Sequence, residues 1–421
     1  MDTKDQTTPL NIAIIGAGPA GCLLARLLFE SKQQISVTLF ESESSPNFRS
    51  QGGSLDLHET TGQAALKKAG LFDHFLEHAR YDGEALKIAD KKLLCYVKMA
   101  GSKADGKNGT GRPEIDRPKL RELLFNSLPE GAVHWNKKLA RVDQNHVLHF
   151  ADGTSQGKFD LIVGADGAWS KVRPRVSDAQ PYYSGIAGHS WYIPDVQNRA
   201  PELHDAVNRG SLFSFSDGKS IMAQQMGDGG INVGTWSVRP ENWQSSYDAR
   251  NPKAVKEAAR KDYADWDPKL VAFTQEAEDA SIAPRDLFML PIGHKWNHIA
   301  GVTLIGDAAH LSTPFAGEGV NLAFEDSMKL ADAIVAAAPA SSRTSLDKNI
   351  ADFEADMFKR ATATQQLTYD LLTAMYLTPG APRNGIESYI LRAMESEMGP
   401  MTIRLLTPVV YAWFFVFKMI W

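Results

Sequence analysis

The sequence predicts an α/β protein: a three-layer, Rossmann-like domain with an inserted antiparallel sheet and C-terminal helices. Three observations carry this. An apolar run near the start, IAIIGAGPAG (Ile12–Gly21), breaks into glycines. Two later apolar runs end in comparable turns, DLIVGADG (Asp160–Gly167) and GVTLIGDAAH (Gly301–His310). Between them, stretches such as Ser211–Phe215, Ser220–Gln225 and Ile231–Val238 alternate as antiparallel strands do.

The first run is a buried parallel strand whose glycines have separate tasks. Gly16 permits a tight turn, and Gly18 lets backbone approach a pyrophosphate. Gly21, after Ala20, lets the next helix (Cys22–Ser31) pack on the strand. The helix N-terminus offers free N–H groups and a positive dipole end to phosphates. A second strand, Ser36–Glu41, closes on an acid that can accept hydrogen bonds from ribose hydroxyls. Strand, glycines, helix, strand and acid together indicate dinucleotide binding.

Further along, Ser102–Pro113 reads as a surface excursion, and Asp116–Leu128 as a helix with leucines at helical spacing. Ala132–Trp135 and His146–Phe150 are β-like, and Lys158–Gly167 is a second buried strand. There Asp166 and Gly167 can turn sharply, and Ser170, Lys171 and Arg173 could meet phosphate. Ala254–Asp267 and Lys269–Glu278 look helical. In the third motif Asp307 closes a strand, and the loop Pro314–Gly319 frees backbone N–H groups before a helix. Those groups suit the pyrimidine edge of a flavin and negative charge at N1/C2=O on reduction. His310 is a general-base candidate, although packing beneath the loop is the favoured reading. Residues 346–376 and 386–405 are further helices. The resulting division is 9–184, cofactor domain; 185–284, sheet-rich substrate domain; 285–340, cofactor domain resumed; 341–421, C-terminal helices with an apolar tail.

With 421 residues, 43% hydrophobic and 23% charged, the chain has the composition of a folded protein with room for two domains. A net charge of −5 gives no electrostatic case for nucleic acid. Two cysteines, Cys22 and Cys95, form no disulfide framework or metal spacing, so no metal is expected. The polar N-terminus reads as no secretory leader, and a cytoplasmic monomer is expected. The apolar run between Arg404 and Lys418 falls short of the roughly 20 residues of a spanning helix and contains Pro408. It could pack on the body, span a bilayer, or touch a membrane surface with Trp413 and Trp421 near headgroups and Lys418 snorkelling.

The three motifs in this order resemble the group A flavoprotein monooxygenases related to para-hydroxybenzoate hydroxylase, over about residues 10–335. Within that group the chain is most similar to the tetracycline-inactivating flavin monooxygenases and their fungal and bacterial relatives. The stretches Gly52–Leu71, Pro113–Leu128 and Gly306–Asn321 carry this likeness. The resemblance implies FAD, transient NADPH (or NADH), O2 as co-substrate and a C4a-(hydro)peroxyflavin. Glu41 would bind the adenosine ribose, Arg117 would contact FAD, and Asp307 would meet the ribityl or pyrophosphate region. Arg49 and Asp56 would flank the isoalloxazine, Arg49 with the nicotinamide. Gly317, Gly319, Val320 and Asn321 would line the ring, with the Pro314 carbonyl side toward the oxygen-reacting carbon. The chain departs from the pattern at Ser42 and Glu318. The positions aligning with tetracycline-gripping side chains are Gly188, Ser211, Met222 and Asn232, so the chemistry transfers and that substrate does not. The substrate wall expected here is Trp191, Met222, Gln224, Asn232 and Trp236, with residues around Tyr369–Tyr376, facing an aromatic or polyketide-like polycyclic molecule. The alternatives are a reductase or halogenase of the same fold, or a non-catalytic flavin sensor.

Overall fold

Five parallel strands form the central sheet of the computed structural model. Their order is Val302–Leu304, Leu161–Gly164, Leu10–Ile15 (β1), Ile35–Phe40 (β2) and Val133–His134. Residues 9–45, 52–100, 111–338 and 343–420 are described. Arg49, Trp421 and most of the Ser102–Pro113 excursion lie outside them. β1 is buried along nearly its whole length, as a parallel strand covered on both faces must be. Its helix α1 (Pro19–Glu30) begins at Gly18 with Pro19 in the first turn, where a missing N–H costs nothing. No acid occupies that turn, so the positive end of the helix stays uncompensated by the chain itself.

The glycines of the first turn are fixed by contact. A Cβ on Gly16 would stand 2.4 Å from the Ala165 carbonyl oxygen, and one on Gly21 would stand 2.0 Å from the Gly16 carbonyl oxygen. Gly18 is different: a Cβ there meets nothing within 4 Å, so its side faces open space. The helix Gly319–Ala337 packs on α1, with Ser327 Oγ donating to the Ala20 carbonyl at 2.9 Å. A small antiparallel sheet of Leu139–Val142, Leu148–Phe150 and Ser155–Gln156 adds the third layer, with Phe150 and Phe40 rings 5.1 Å apart.

A second, seven-stranded sheet stands beside this domain. Its order is Ala283–Met289, Tyr182–Ile193, Ile231–Val238, Lys219–Gln225, Ser211–Ser216, Leu86–Ala89 and Cys95–Met99. The last two strands come from the first part of the chain and carry no clear alternation in sequence. Ser211–Ser216 pairs with Leu86–Ala89 in parallel, a pairing that no hairpin signal announces. The sheet has two unlike faces. Ile221, Ala223, Ile231 and Val233 are fully buried against the outer helices Pro252–Asp262 and Pro268–Gln275. Met222, Gln224, Asn232 and Trp236, one residue out of phase, are half-buried on the other face.

Two expectations need correction here. Trp191 lies in the fully buried core, 1% exposed, with its indole N–H on Thr235 Oγ1 at 3.0 Å. The period-2 rule places it opposite Met222 and Trp236, because its register partner is Val233. The helix expected at 386–405 runs instead from Ile386 to Ile420, broken only at Gly399 (φ 74°, ψ 159°), so the apolar run is helical throughout.

Because the atom opposing a Gly21 Cβ is backbone and cannot rotate away, Gly21→Ala should destabilise the fold by about 1–3 kcal/mol. Denaturant unfolding followed by circular dichroism measures this, and a change under a few tenths of a kcal/mol would contradict the packing described.

Candidate active site

Close approaches bring the first turn, the Gly52–Asp56 segment, Arg117 and the loop from Gly306 to Asn321 together around the candidate recess: a Cβ on Gly306 would stand 3.6 Å from Ala20 Cβ, one on Gly317 3.5 Å from Asp56 Oδ1, and one on Gly53 3.7 Å from Arg117 Nε. Glu41 closes its β2 end. One Glu41 oxygen accepts the Ala17 N–H at 2.7 Å, and the other accepts Ser42 Oγ and the Glu43 N–H, both at 2.9 Å. The carboxylate is thereby locked across the glycine turn, and Oε2 keeps a second lone pair for a sugar hydroxyl. Ser42, a departure from the related pattern, serves this positioning.

Opposite, Asp307 follows Gly306, which takes a positive φ of 59°. The Asp307 side chain has no hydrogen bond among the described residues and keeps an exposed face, although the protein around it displaces part of its solvent. That desolvation pushes its pKa up, and His310, Arg117 and Arg173 partly offset the rise. Arg117 stands near it and is likewise exposed in part. Burial lowers its pKa, Asp307 raises it, and its side chain has no hydrogen bond among the described residues. Asp166 adds a third incomplete group: Oδ2 accepts the Lys171 N–H at 2.6 Å, while Oδ1 is buried without a partner. Burial likewise raises the Asp166 pKa. The hydrogen-bonding capacity left on Asp307, Arg117 and Asp166 fits a ligand that supplies hydroxyls and phosphate, as FAD does.

The loop expected to face the flavin follows the third strand. Pro314–Ala316 makes a single turn closed by the Gly317 N–H on the Pro314 carbonyl at 3.1 Å, and Gly317 has φ 71°. The helix Gly319–Ala337 then starts with no acid in its first turn, and a Cβ on Gly319 would meet nothing within 4 Å. Val320 is half-buried beside it. The first N–H groups of a 19-residue helix therefore bound the recess. Asn321 contributes from beneath. It is fully buried, donates to the Asp56 carbonyl at 3.0 Å and accepts the His58 N–H at 2.9 Å, so its amide fixes the Asp56–His58 segment. Asp56 in turn meets His58 Nε2 at 3.0 Å, and His58 Nδ1 lies 3.4 Å from Glu318. His58 ties both sides of the flavin loop, a role with no sequence signal.

His310 is structural. Its ring meets the fully buried Asp326 at 2.6 Å, and Asp326 also accepts the Gly306 N–H at 3.1 Å and Arg360 at 2.9 Å. Burial raises the Asp326 pKa, but His310 and Arg360 hold it below the ordinary carboxylate value. Arg173 does not reach outward to phosphate. It is 1% exposed and spans from the Ala168 carbonyl (2.7 Å) to the Ala308 carbonyl (2.8 Å), bracing the second motif against the third.

The half-buried sheet face meets these segments at a seam. Gln224 pairs with Asn232 and Ser211, Met222 with Gly234, and Trp236 with Gly188. A Cβ on Gly234 would meet Trp236 Nε1 at 2.6 Å, so the indole lies across that glycine. Asn232 sits at the seam: a Cβ on Gly52 would lie 3.2 Å from its amide oxygen. Met222 Sδ is 3.9 Å from the Tyr376 hydroxyl, and the Tyr376 ring is 4.9 Å from Phe315 in the flavin loop. Tyr376 thus packs between the sheet face and that loop, while Tyr369 is an exposed position on the preceding helix. Phe213, opposite Met222, completes the apolar surface and was legible from strand alternation.

The chain matches the FAD binding domain family over residues 9–352. It is 32% identical to Monooxygenase penA of Penicillium thymicola over 436 residues, covering 90% of this chain and 98% of that protein. Two solved structures share the fold. Klebsiella pneumoniae HpxO complexed with FAD and uric acid superposes with a TM-score of 0.73 at 18% identity, over 97% of this chain and 99% of that one. Tetracycline destructase Tet(51) gives 0.66 at 19% identity, over 96% and 98%.

Two outcomes follow from these environments. Asp307→Ala removes an acceptor with no described protein hydrogen bond, so FAD affinity should fall roughly 10- to 100-fold with little loss of stability. Equilibrium titration with FAD and thermal melts test this, and unchanged affinity would place the carboxyl outside the cofactor site. Glu114, buried beside Arg80 (3.0 Å) and Ser54 (3.0 Å), has its pKa pushed up to about 7, chiefly by burial. The folded state then holds this proton more tightly than the unfolded chain. Its contribution is full below about pH 4.5 and is lost as pH rises through about 7. Melting temperature should decline across that window in the native protein and decline less in Glu114→Gln.

Proposed function

The chain belongs to the FAD binding domain family and is an FAD-dependent monooxygenase, and from that premise we propose its reaction and substrate class. The reaction consumes NAD(P)H and O2 and places one oxygen atom on an aromatic or polyketide-like polycyclic molecule. In balance, substrate–H, O2, NAD(P)H and a proton give substrate–OH, water and NAD(P)+. Held in the recess, FAD supplies the electron transfer from the nicotinamide and the activation of O2. The protein's residues do the rest.

Glu41, Arg117 and Asp307 hold the nucleotide and ribityl parts, and the locked Glu41 carboxylate fixes the register of the ribose. The N–H groups at the start of Gly319–Ala337 would stabilise negative charge on the bound ring. Asn321 and His58 keep the Asp56 segment and Glu318 fixed, so those donors do not drift as charge develops. The observation that carries the substrate class is the sheet face itself. Met222, Trp236 and Phe213, with Phe315 and Tyr376 from the flavin side, give a broad apolar and aromatic surface that excludes water. Gln224 is a polar side chain on that face, suited to orient a phenolic or carbonyl oxygen. One nucleotide fingerprint serves FAD, so the nicotinamide is read as a transient visitor to the same recess.

Stopped-flow absorbance tests the reading. FAD-loaded protein, reduced with NADPH and mixed with O2, should show a transient band between the reduced and oxidised spectra before reoxidation. NADPH consumption should then rise with a polycyclic phenolic substrate and match product formed. Met222→Glu, which puts a charge on the apolar wall, should raise KM at least tenfold while FAD content stays constant. Direct reoxidation without a transient band, and no substrate-coupled NADPH consumption, would instead favour a reductase or sensor.

A further inference from the structure

The C-terminal helix is fastened along one edge and bare over the rest. Beyond Gly399, Phe414 is the large side chain it buries, at 4% exposure. Phe417 meets Tyr96 with tilted rings whose centroids are 5.3 Å apart, Val410 packs in the same cluster, and Lys418 Nζ binds Glu387 at 2.6 Å. Lys418 is therefore turned to the body and does not reach outward as the sequence suggested. The other side carries Leu405 (76% exposed), Val409, Trp413 (67%), Phe415, Val416 and Met419. At about 100° per residue these positions span roughly 160° of the helix surface. A soluble helix packed on one side places charged residues on such an arc. Here no charge interrupts the chain between Arg404 and Lys418. Arg404, Tyr411 and Lys418, spaced by sevens, run in a line along one margin of the apolar arc.

We infer that this helix docks side-on into a lipid bilayer surface, its apolar arc in the acyl boundary and the Arg404–Tyr411 margin at the headgroups. The width of the arc selects lipid over a second copy of the chain. A partner helix covers a seam of about 100° or less and would leave bulky apolar side chains in water. A bilayer covers the whole arc, and Tyr and Trp at its edges suit the interface. The fastened edge selects side-on insertion over a span. Crossing the bilayer would strip Phe414 and Phe417 from their core and part Lys418 from Glu387. A helix from Pro400 to Ile420, about 32 Å long, lies flat against the body instead.

Flotation of the full-length, FAD-loaded protein with phosphatidylcholine vesicles tests this directly. The native protein should rise with the vesicles, leave them in alkaline carbonate, and show Trp fluorescence quenched by brominated lipid. The double variant Leu405→Glu with Val416→Glu, at exposed positions remote from the recess, should float at least tenfold less while keeping its FAD content and basal NADPH oxidation. The inference is overturned if the native protein stays unbound, or if it resists carbonate extraction as a spanning helix would. It is equally overturned if the protein sediments as a dimer that the double variant dissociates.

Discussion

One buried carboxylate organises the cofactor end of this protein. Asp326 is fully buried and gathers Gly306, His310 and Arg360 around two oxygens. These partners belong to the turn after the last parallel strand and to the long helix Arg343–Leu372, while Asp326 itself sits on Gly319–Ala337. Leaving such a group without a partner costs about 3–5 kcal/mol, so the three elements hold one relative position or the fold weakens sharply. Asp307, one residue beyond the anchored glycine, is the part left over, exposed and without a hydrogen bond among the described residues. Preorganisation here is a division of labour between an acid that is fully used and an adjacent acid that is not.

The same division explains what the sequence disclosed. Glycines write their purpose plainly, because Gly16 and Gly21 admit no Cβ and Gly18 faces open space. Three strands of the parallel sheet were legible from unbroken apolar runs, and the three strands from Ser211 to Val238 from their alternation. Alternation also placed Met222, Gln224, Asn232 and Trp236 on one face. It would have excluded Trp191 had its register against Val233 been known, but register is a property of pairing between distant segments. The parallel addition of Leu86–Ala89 and the long reach of His58 to Glu318 were invisible for that reason. Arg173 misled because a basic residue after a glycine turn suits phosphate equally well. Only its burial shows that it ties carbonyls of the second and third motifs together.

Charge is distributed with similar economy across the seam between the sheets. Asp116 accepts the Gly227 N–H at 3.1 Å, and Arg80 links Glu114 to the Gln225 carbonyl at 2.8 Å. Both contacts join the strand leading into Arg117 to the hairpin carrying Gln224. The residue expected to hold FAD and the residue expected to orient substrate are thus connected through two short polar bridges. A shift of the sheet would reach the cofactor side without any loop closing over the recess.

The apolar C-terminal helix has a practical corollary. Phe414, Val410 and Phe417 share one core with Tyr376 and Phe215, and Tyr376 hydrogen-bonds Ser220 at 2.6 Å on the substrate sheet. Deleting the helix to improve solubility would therefore unroof the strand that bears Met222. A shortened chain with poor turnover would report damage to its own wall, and its kinetics could not be taken as those of the intact enzyme. Polar substitutions confined to the outer arc leave that wall untouched.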